Sequence, residues 1–383
     1  MQSHSEEQQA WLRLVRSPGI GPGTARRLLL ALGSPQAIFD APEATLAQLV
    51  TPRERQALMR PPEGLDDDVA RTTAWLQAAP HRALLTLGDA DYPPALLQAS
   101  DPPLVLFAEG DLSLAQAPSV AIVGSRHATA QGIDNARMFA QALSAAGVTV
   151  VSGLARGIDA AAHEGALAGQ VLLPEPGRPG GTVAVVGTGL DLVYPKAHTR
   201  LAQQIAHRGL LLSEFLLGTP PLAGNFPRRN RIVAALSRGT LVIEAAVQSG
   251  SLITARLAAE LGREVMAIPG SIHAPQSRGC HALIKQGAKL VETAADVMEE
   301  LQLATLPAVS SPRAAVPDTA QGDPDDHGDP LVAAMGFDPV SQEALAARTG
   351  LPPAELGARL LELELMGVVA RLPGALFQRR AAA

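Results

Sequence analysis

A basic cluster and a polar loop lie close together in NFPRRNRIVAALSRGTLVIEAAVQSGSLITA, residues 225–255. Three of four successive positions are arginine, and an apolar run ending at Glu244 predicts a β-strand before a Ser-Gly-Ser loop and a helical pattern. Loops after parallel strands face the ligand, and the N-terminus of the next helix offers free N–H groups to anions. The stretch indicates a polyanion site, and the alternative is a solvated basic turn beside an ordinary βα loop. The candidate residues here are Phe226, Arg228, Arg229, Asn230, Arg231, Ser249, Gly250 and Ser251.

Other predicted strands also end in small residues. Glycine lets a backbone approach closely, and serine or threonine adds hydroxyl donors. Because several such loops are expected at one edge of the sheet, together with further cations, the pattern predicts an anion-binding edge. The additional candidates are Gly124, Ser125, Arg126, Ser152, Arg156 and Lys196, and the other small-residue loops are Gly153, Gly187-Thr188-Gly189 and Pro269-Gly270.

No sequence motif supports a nucleotide cofactor or a metal. The run Gly187-Thr188-Gly189 lacks the third glycine of GxGxxG at its spacing, and GxxxxGK[ST] does not occur, so neither NAD nor ATP is expected. The histidines are scattered without metal-ligand spacing. We therefore expect no cofactor and no metal.

Three carboxylates and one thiol are the candidates for catalysis. Asp159, Asp191 and Glu244 could exchange protons, but we favour structural roles: a helix N-cap for Asp159, a loop anchor for Asp191 and a partner of a buried arginine for Glu244. Cys280, the one cysteine, could be a nucleophile, and we favour a small filler in the core.

The elements that must position these residues follow a βα rhythm from residue 81 to residue 303. Apolar strands without polar alternation, separated by helices, are typical of a parallel sheet covered on both faces. The pattern predicts an α/β, Rossmann-like, doubly wound, mostly parallel sheet. Its strands are expected at Ala83–Leu87, Leu104–Ala108, Ser119–Val123, Val148–Ser152, Val183–Val186, Leu210–Glu214, Leu241–Glu244 and Val265–Ile268.

Residues 1–80 are expected to form an N-terminal domain of short helices, at Gln8–Arg16, Gly23–Leu32, Pro35–Phe39, Pro52–Met59 and Asp66–Ala78. Within it, Ser17–Leu28 (SPGIGPGTARRL) resembles a helix-hairpin-helix, whose turn would offer backbone N–H groups to a phosphate beside Arg26 and Arg27. A tight turn in a small helical bundle explains the same residues equally well. Both interpretations stay open at this point.

The C-terminal part is predicted to be separate. Residues 304–330 are rich in proline, alanine, serine and aspartate and predict a flexible acidic linker. Residues 331–383 combine two helical patterns with a hairpin, which predicts a winged-helix-like domain. Its second helix carries Glu355, Glu362 and Glu364, so a role in protein interaction or dimerisation is at least as well supported as DNA recognition.

Composition limits the class of protein. A length of 383 residues with 47% apolar content fits two or three globular domains, and there is no long apolar run for a membrane span. The polar start, MQSHSEEQQA, lacks a signal-peptide core, and a single cysteine fits a reducing compartment, so we expect a cytoplasmic protein. A net charge of −6 argues against coating nucleic acid by bulk charge, but not against a local basic groove. Aromatic residues make up only 3%, which excludes extended base stacking on many rings.

Several motifs closely resemble the DNA processing protein A (DprA/Smf) family of bacterial single-stranded-DNA-binding proteins. The resemblance covers roughly residues 85–300 in unbroken order. It is carried by VAIVGSR at 120–126, VVSGLARGIDAAAH at 150–163, VGTGLDLVYPKAH at 186–198, FPRRNRIVAALS at 226–237, SGSLITA at 249–255, REVMAIPG at 263–270 and HALIKQGAKLV at 281–291.

This resemblance implies a non-catalytic protein that binds and protects incoming single strands. It further implies loading of the RecA recombinase in natural transformation and a homodimer formed through the Rossmann-like domain. It also implies that Ser125 and Arg126 hold a backbone phosphate and that Lys196 makes a second contact. Phe226 and the Arg228–Arg231 cluster are implied to line the same groove. The chain departs from the family pattern in His198, where Asn is usual, and in a longer PEPGRPGG loop at 174–181.

One enzymatic alternative comes from Rossmann-like nucleotide phosphoribohydrolases, which carry a Gly-Thr-x-x-Glu turn. Residues 239–244, GTLVIE, are one residue longer and lack the preceding Pro-Gly-Gly. A purely structural adaptor is a third hypothesis, but it does not account for the basic cluster.

Overall fold

The computed structural model describes residues 2–172, 180–303, 329–372 and 374–379, with side chains from Glu6 onward. The predicted linker at 304–330 lies outside the described residues except for Asp329 and Pro330, and the 174–181 loop lies outside them except for its last two glycines. Across the described ranges, no helix is both long enough and apolar enough to cross a membrane.

The chain begins with short helices, as predicted. Several start at strong local signals: Ser34 caps α3, and Thr51 forms a capping box with Glu54 on α5. One helix, α4, was not predicted. The helices are α1 Gln2–Arg16, α2 Pro22–Leu32, α3 Pro35–Asp40, α4 Glu43–Leu49, α5 Pro52–Met59 and α6 Leu65–Gln77.

A nine-stranded sheet follows, and its strands lie close to the predicted positions. They are β1 Arg82–Thr86, β2 Val105–Gly110, β3 Ser119–Val123, β4 Thr149–Ser152, β5 Thr182–Val185, β6 Leu210–Ser213, β7 Gly239–Val242, β8 Glu264–Ala267 and the unpredicted β9 Lys289–Leu290. Their spatial order is β1-β2-β6-β5-β4-β3-β7-β8-β9. The pairs β1–β2 and β2–β6 are antiparallel, and all other pairs are parallel.

Helices cover both faces of this sheet, which confirms the doubly wound prediction. They are α7 Ala130–Ala145, α8 Ile158–Gln170, α9 Thr199–Arg208, α10 Asn225–Leu236, α11 Ser251–Glu260, α12 Arg278–Lys285 and α13 Ala294–Glu300. The central strands are buried on both sides because alternate side chains enter different cores: Ile122 packs with α7 and α8, whereas Val123 packs with α10.

The N-terminal helices share a core with the sheet. Leu28 and Trp75 belong to the same buried cluster as Phe107 of β2. The Trp75 and Phe107 rings meet edge to face with centroids 5.9 Å apart. The helical part is therefore held against one face of the sheet by apolar burial.

The C-terminal residues form the predicted winged helix. Its elements are α14 Pro330–Met335, β10 Val340–Ser341, α15 Gln342–Thr349, α16 Pro353–Leu365, β11 Val369–Leu372 and β12 Leu376–Arg379. Two of them, α14 and β10, were not predicted. The unit has its own apolar core, and it contacts α7 where Arg348 pairs with Asp134 at 3.0 Å.

Candidate nucleic-acid interface

The carboxyl ends of six parallel strands, β3 to β8, lie at one edge of the sheet. The loops that leave these ends bring the predicted small residues and cations to that edge, as expected for a doubly wound sheet. We call this surface the loop edge. It comprises residues 124–129, 153–157, 186–198, 214–228, 243–251 and 268–277.

The turn after β3 carries Ser125 and Arg126. Its first residue, Gly124, has no room for a side chain, because a Cβ would lie 2.5 Å from Ile158 Cγ1 and 2.8 Å from the Glu244 carbonyl oxygen. The Ser125 carbonyl accepts a bond from Ile158 N at 3.2 Å, and Ser125 Oγ accepts one from His127 N at 3.1 Å. With its backbone held in this way, the turn presents the Arg126 side chain to solvent.

Glu244 holds the far end of the same turn. Its carboxylate accepts bonds from both the backbone N–H and the hydroxyl of Thr129, and Thr129 in turn caps α7. The predicted partner for Glu244, a buried arginine, was wrong, because the partner is Thr129. Burial raises the pKa of Glu244, and the two bonds from Thr129 act in the opposite direction.

The loop after β4 is fixed by buried polar side chains. Asp159 accepts bonds from Gly153 N at 3.1 Å and Ala155 N at 3.2 Å, so it anchors this loop and does not cap α8 as predicted. Burial raises the pKa of Asp159, and the Arg229 guanidinium acts against that shift. Leu154 within the loop has a positive φ of 58°, a conformation that a leucine keeps only when its surroundings impose it.

Two histidines hold Leu154 from opposite sides. His198 Nδ1 lies 3.0 Å from the Leu154 carbonyl oxygen, and His163 Nε2 accepts from Leu154 N at 3.2 Å. The hydroxyl of Thr182 donates to Val150 O, so His163 must carry its proton on Nδ1 and donate to Thr182. Burial lowers the pKa of His163 to about 3, with smaller contributions from the positive groups around it.

The three clustered arginines lie on helix α10 and point in different directions. Arg228 is exposed, with its guanidinium 5.5 Å from the centroid of the Phe215 ring. Arg229 is only 4% exposed and donates to the carbonyl oxygens of Gly153 and Val185. Burial lowers the pKa of Arg229, whereas neighbouring Asp159 raises it. Of these two arginines, only Arg228 is exposed to solvent.

Arg231 and Asn230 are also engaged within the protein. The Arg231 side chain is 15% exposed and pairs with Glu214, and with Asp101 at 3.4 Å. Asn230 Oδ1 accepts from Arg229 Nε at 3.1 Å. Together with Arg229, these residues support the loop edge from within.

An aromatic pair lies over the small residues of the β5 loop. Phe226 contacts the backbone at Gly187, where a Cβ would lie 3.1 Å from its ring. The centroids of the Tyr194 and Phe226 rings are 5.6 Å apart. The Arg126 guanidinium lies 5.5 Å from the centroid of the Phe226 ring. Tyr194 is 48% exposed and was not among the predicted site residues, although it directly precedes Pro195-Lys196. Lys196 is exposed at the start of a 3₁₀ turn.

The remaining predicted residues differ in burial and in the contacts that they make. Ser152 is fully buried and donates to Ile122 O at 2.7 Å, so it joins neighbouring strands. Ser249 and Ser251 bond to each other through their hydroxyls at 2.7 Å around an exposed Gly250, at the start of α11. Arg156 is exposed on the loop after β4.

The candidate catalytic groups are occupied by structural contacts. Asp191 accepts from Gly218 N at 2.8 Å, which confirms the loop-anchor interpretation. Cys280 is buried, and burial raises the pKa of its thiol to about 12, so the reactive thiolate is disfavoured. Among the described residues, no group of His, Cys, Asp and Glu side chains could hold a metal ion.

The architecture defines a three-part α/β protein: a Rossmann-like sheet domain between an N-terminal helical domain and a C-terminal winged helix. The chain belongs to the DNA recombination-mediator protein A family, whose model matches residues 83–302. The flanking parts match the winged-helix domain of DprA at 314–375 and the DprA-like N-terminal HHH domain at 5–51. The sequence resemblance to this family is thereby confirmed.

Individual relatives agree with this assignment. Protein Smf of Escherichia coli K12 is 42% identical over 315 residues, which cover 82% of each chain. The crystal structure of DNA processing protein A from Streptococcus pneumoniae superposes with a TM-score of 0.65 at 38% identity, over 75% of this chain and 95% of that one. A structure of the Helicobacter pylori protein, described for its single-stranded DNA binding mode, gives a TM-score of 0.50 at 31% identity, over 58% and 97%.

Proposed function

We propose that the loop edge binds single-stranded DNA without chemical change to it. The observation that carries this proposal is the arrangement of Arg126, Phe226 and Tyr194, with a guanidinium 5.5 Å from one ring and a second ring 5.6 Å beyond. A cation beside a half-buried phenylalanine and an exposed tyrosine can bind a phosphate while unpaired bases stack on the rings. In duplex DNA the base faces are covered, so this arrangement favours single strands.

Fewer residues are proposed to contact DNA than were predicted from the sequence. Arg126, Arg156, Lys196 and Arg228 are exposed and would contact phosphates, whereas Arg229 and Arg231 act as internal supports. The backbone at Gly124-Ser125 and Ser249-Gly250-Ser251 would approach the strand closely. Asn230 and Ser152 would not touch the DNA. Asn230 would help to position Arg229, and Ser152 would help to join β4 to β3 at Ile122.

The cellular role we propose is protection of incoming single strands and loading of the RecA recombinase in the cytoplasm during transformation and recombination. The family resemblance supports this role and also supports a homodimer formed through the Rossmann-like domain.

A nucleotide phosphoribohydrolase would need Glu244 directed at a substrate. In this chain the carboxylate is half-buried, accepts two hydrogen bonds from Thr129 and lies against Gly132, so that it holds the β3 turn. We therefore do not propose the enzymatic function.

Fluorescence anisotropy with a labelled oligothymidylate tests the proposal. Arg126→Ala should weaken binding about tenfold, equivalent to about 1.4 kcal/mol, with little dependence on base sequence. Arg137→Ala is the matched control, because Arg137 is paired with Glu164 on the α7–α8 surface at 2.8 Å. Equal affinity of the two variants would contradict the site, and release of base or phosphate from a nucleotide would contradict the non-catalytic function.

A further inference from the structure

Helix α2 of the N-terminal domain lies beside the loop edge. Strand β2 is antiparallel to β6, and Phe107 pairs with Ser213, so the start of β2 lies where β6 ends. Residues 99–103 lead into β2 and therefore share the edge with the proposed DNA contacts. Arg26 on α2 reaches this segment, with its Nη1 3.4 Å from the Ser100 carbonyl oxygen.

Consecutive residues of this segment connect α2 with α10. Asp101, next to Ser100, pairs with Arg231 at 3.4 Å. Arg228 lies three residues earlier on α10, and residues three apart are neighbours on a helix surface. Arg26 and Arg228 are thus linked through one short stretch of chain.

A second contact fixes the position of the helical domain at this edge. Arg71 of α6 donates to the Leu217 carbonyl oxygen at 3.0 Å, on the loop between β6 and α10. With the shared apolar core around Phe107, this contact makes α2 a fixed neighbour of the loop edge.

Charge indicates which way a bound strand continues past Arg228. Beyond β2, the connection after β1 exposes Asp89 and Asp91, which would repel phosphates. Towards α2, Asp101 is offset by its pairing with Arg231. The cations that follow are Arg26, which is half-buried, and Arg27, which is exposed and lies near Glu54 of α5.

We propose that a single strand bound at Arg126 and Arg228 continues over residues 99–103 onto α2, where Arg26 and Arg27 contact its phosphates. This inference rests on the proposed function and extends it to a second subsite for the sugar–phosphate backbone. The Arg26 bond to Ser100 is long and lies at the surface, so the guanidinium can exchange a carbonyl for a phosphate at small cost. Short strands occupy the loop edge alone, and longer strands occupy both subsites.

The test uses the full chain and a double variant, Arg26→Ala with Arg27→Ala. Anisotropy titrations with oligothymidylates of about 6 and about 20 nucleotides compare one subsite with both, since such sites span roughly 4–16 nucleotides. The variant should bind the long strand about three- to tenfold more weakly and the short strand as wild type does. The dependence of log affinity on log salt for the long strand should become shallower by about 1.4, at about 0.7 per phosphate. Arg137→Ala should change neither titration.

The outcomes separate this inference from the function on which it rests. Unchanged affinity of the double variant for the long strand would overturn the second subsite, as would an equal loss for both lengths. If wild-type protein binds neither oligonucleotide, or if Arg126→Ala leaves the short strand unaffected, the proposed function itself fails. A selective loss for the long strand, together with a loss at both lengths in Arg126→Ala, supports both proposals.

Discussion

Adjacent arginines on α10 should give opposite results when each is replaced by methionine. Arg229 is 4% exposed and donates to the carbonyl oxygens of Gly153 and Val185 beside the buried Asp159. Methionine fills a similar volume without a donor or a charge, so Arg229→Met leaves these acceptors unpaired in the core. Removing one partner of a buried charged network costs about 3–5 kcal/mol. That is a large share of the roughly 5–15 kcal/mol by which a folded protein is stable.

Arg228→Met should leave the fold nearly unchanged. Its guanidinium is exposed and lies 5.5 Å from the Phe215 ring, an interaction worth about 0.5–1 kcal/mol at an exposed site. If Arg228 holds a phosphate, the substitution should lower affinity for single strands about tenfold. The salt dependence of binding should also become shallower by about 0.7.

Two assays separate these effects. Urea denaturation followed by circular dichroism reports the whole chain, whereas fluorescence would follow only Trp11 and Trp75 in the N-terminal helices. Anisotropy with oligothymidylate then measures affinity under conditions in which each variant is folded. An Arg229→Met protein with wild-type stability and weakened binding would refute the assignment of Arg229 as an internal support of the loop edge. An Arg228→Met protein with unchanged affinity would remove Arg228 from the interface.

Four further predictions follow from the same contacts. If all four exposed cations bind phosphates, the logarithm of affinity should fall with the logarithm of salt concentration with a slope of about −3, and a slope near zero in anisotropy titrations would contradict the site. Single strands should bind more tightly than a blunt duplex of equal length, and equal affinity by gel shift would instead favour the terminal domains as the main contacts. Deleting residues 304–383 removes the Arg348–Asp134 pair but leaves the loop edge in place. Light scattering should therefore show a dimer, and anisotropy should give an affinity for single strands within about tenfold of wild type. A monomer, or a much larger loss of affinity, would contradict this prediction. The pKa of His163 falls from 6.5 to about 3 on folding, so the unfolded state gains a proton first as pH drops through 6.5 and stability is lost. This residue should contribute almost no pH dependence above about pH 7.5 and should cost about 2 kcal/mol of stability by pH 5. Denaturation curves of His163→Gln should lack this slope.

The fold of the sheet domain was predictable because its signals are local. Apolar runs such as Ser119–Val123 are buried on both faces, and glycines or polar residues interrupt the chain where each strand ends. The elements that were missed give weak signals of this kind. Strand β9 has two exposed residues, and α4 follows α3 after a break of only two residues, so neither has a clear pattern of its own.

The candidate site was predictable as an edge but not as a set of contacts. The spacing of Arg228, Arg229 and Arg231 indicates a cluster, yet a helix turns about 100° per residue and separates neighbours in sequence. Which arginine faces inward depends on the carbonyl groups of Gly153 and Val185, which come from distant parts of the chain. Tyr194 was missed for a related reason, because its partner Phe226 lies 32 residues away in sequence.

The same contacts explain why buried polar residues are concentrated behind the proposed binding edge. A turn that binds phosphate must keep its N–H groups and cations in place when no ligand is bound. Otherwise part of the free energy of DNA binding is used to order the turn. Glu244 holds Thr129 at one end of the β3 turn, and Gly157, whose φ is +73°, lets α8 approach close enough for Ile158 to hold Ser125. An alanine at Gly157 would overlap the Ser125 carbonyl oxygen, so this position should affect binding although its side chain cannot touch DNA. The buried residues that support the loop edge and the exposed residues proposed to contact DNA therefore differ in burial. Burial cannot be determined from a sequence motif that contains both kinds of residue.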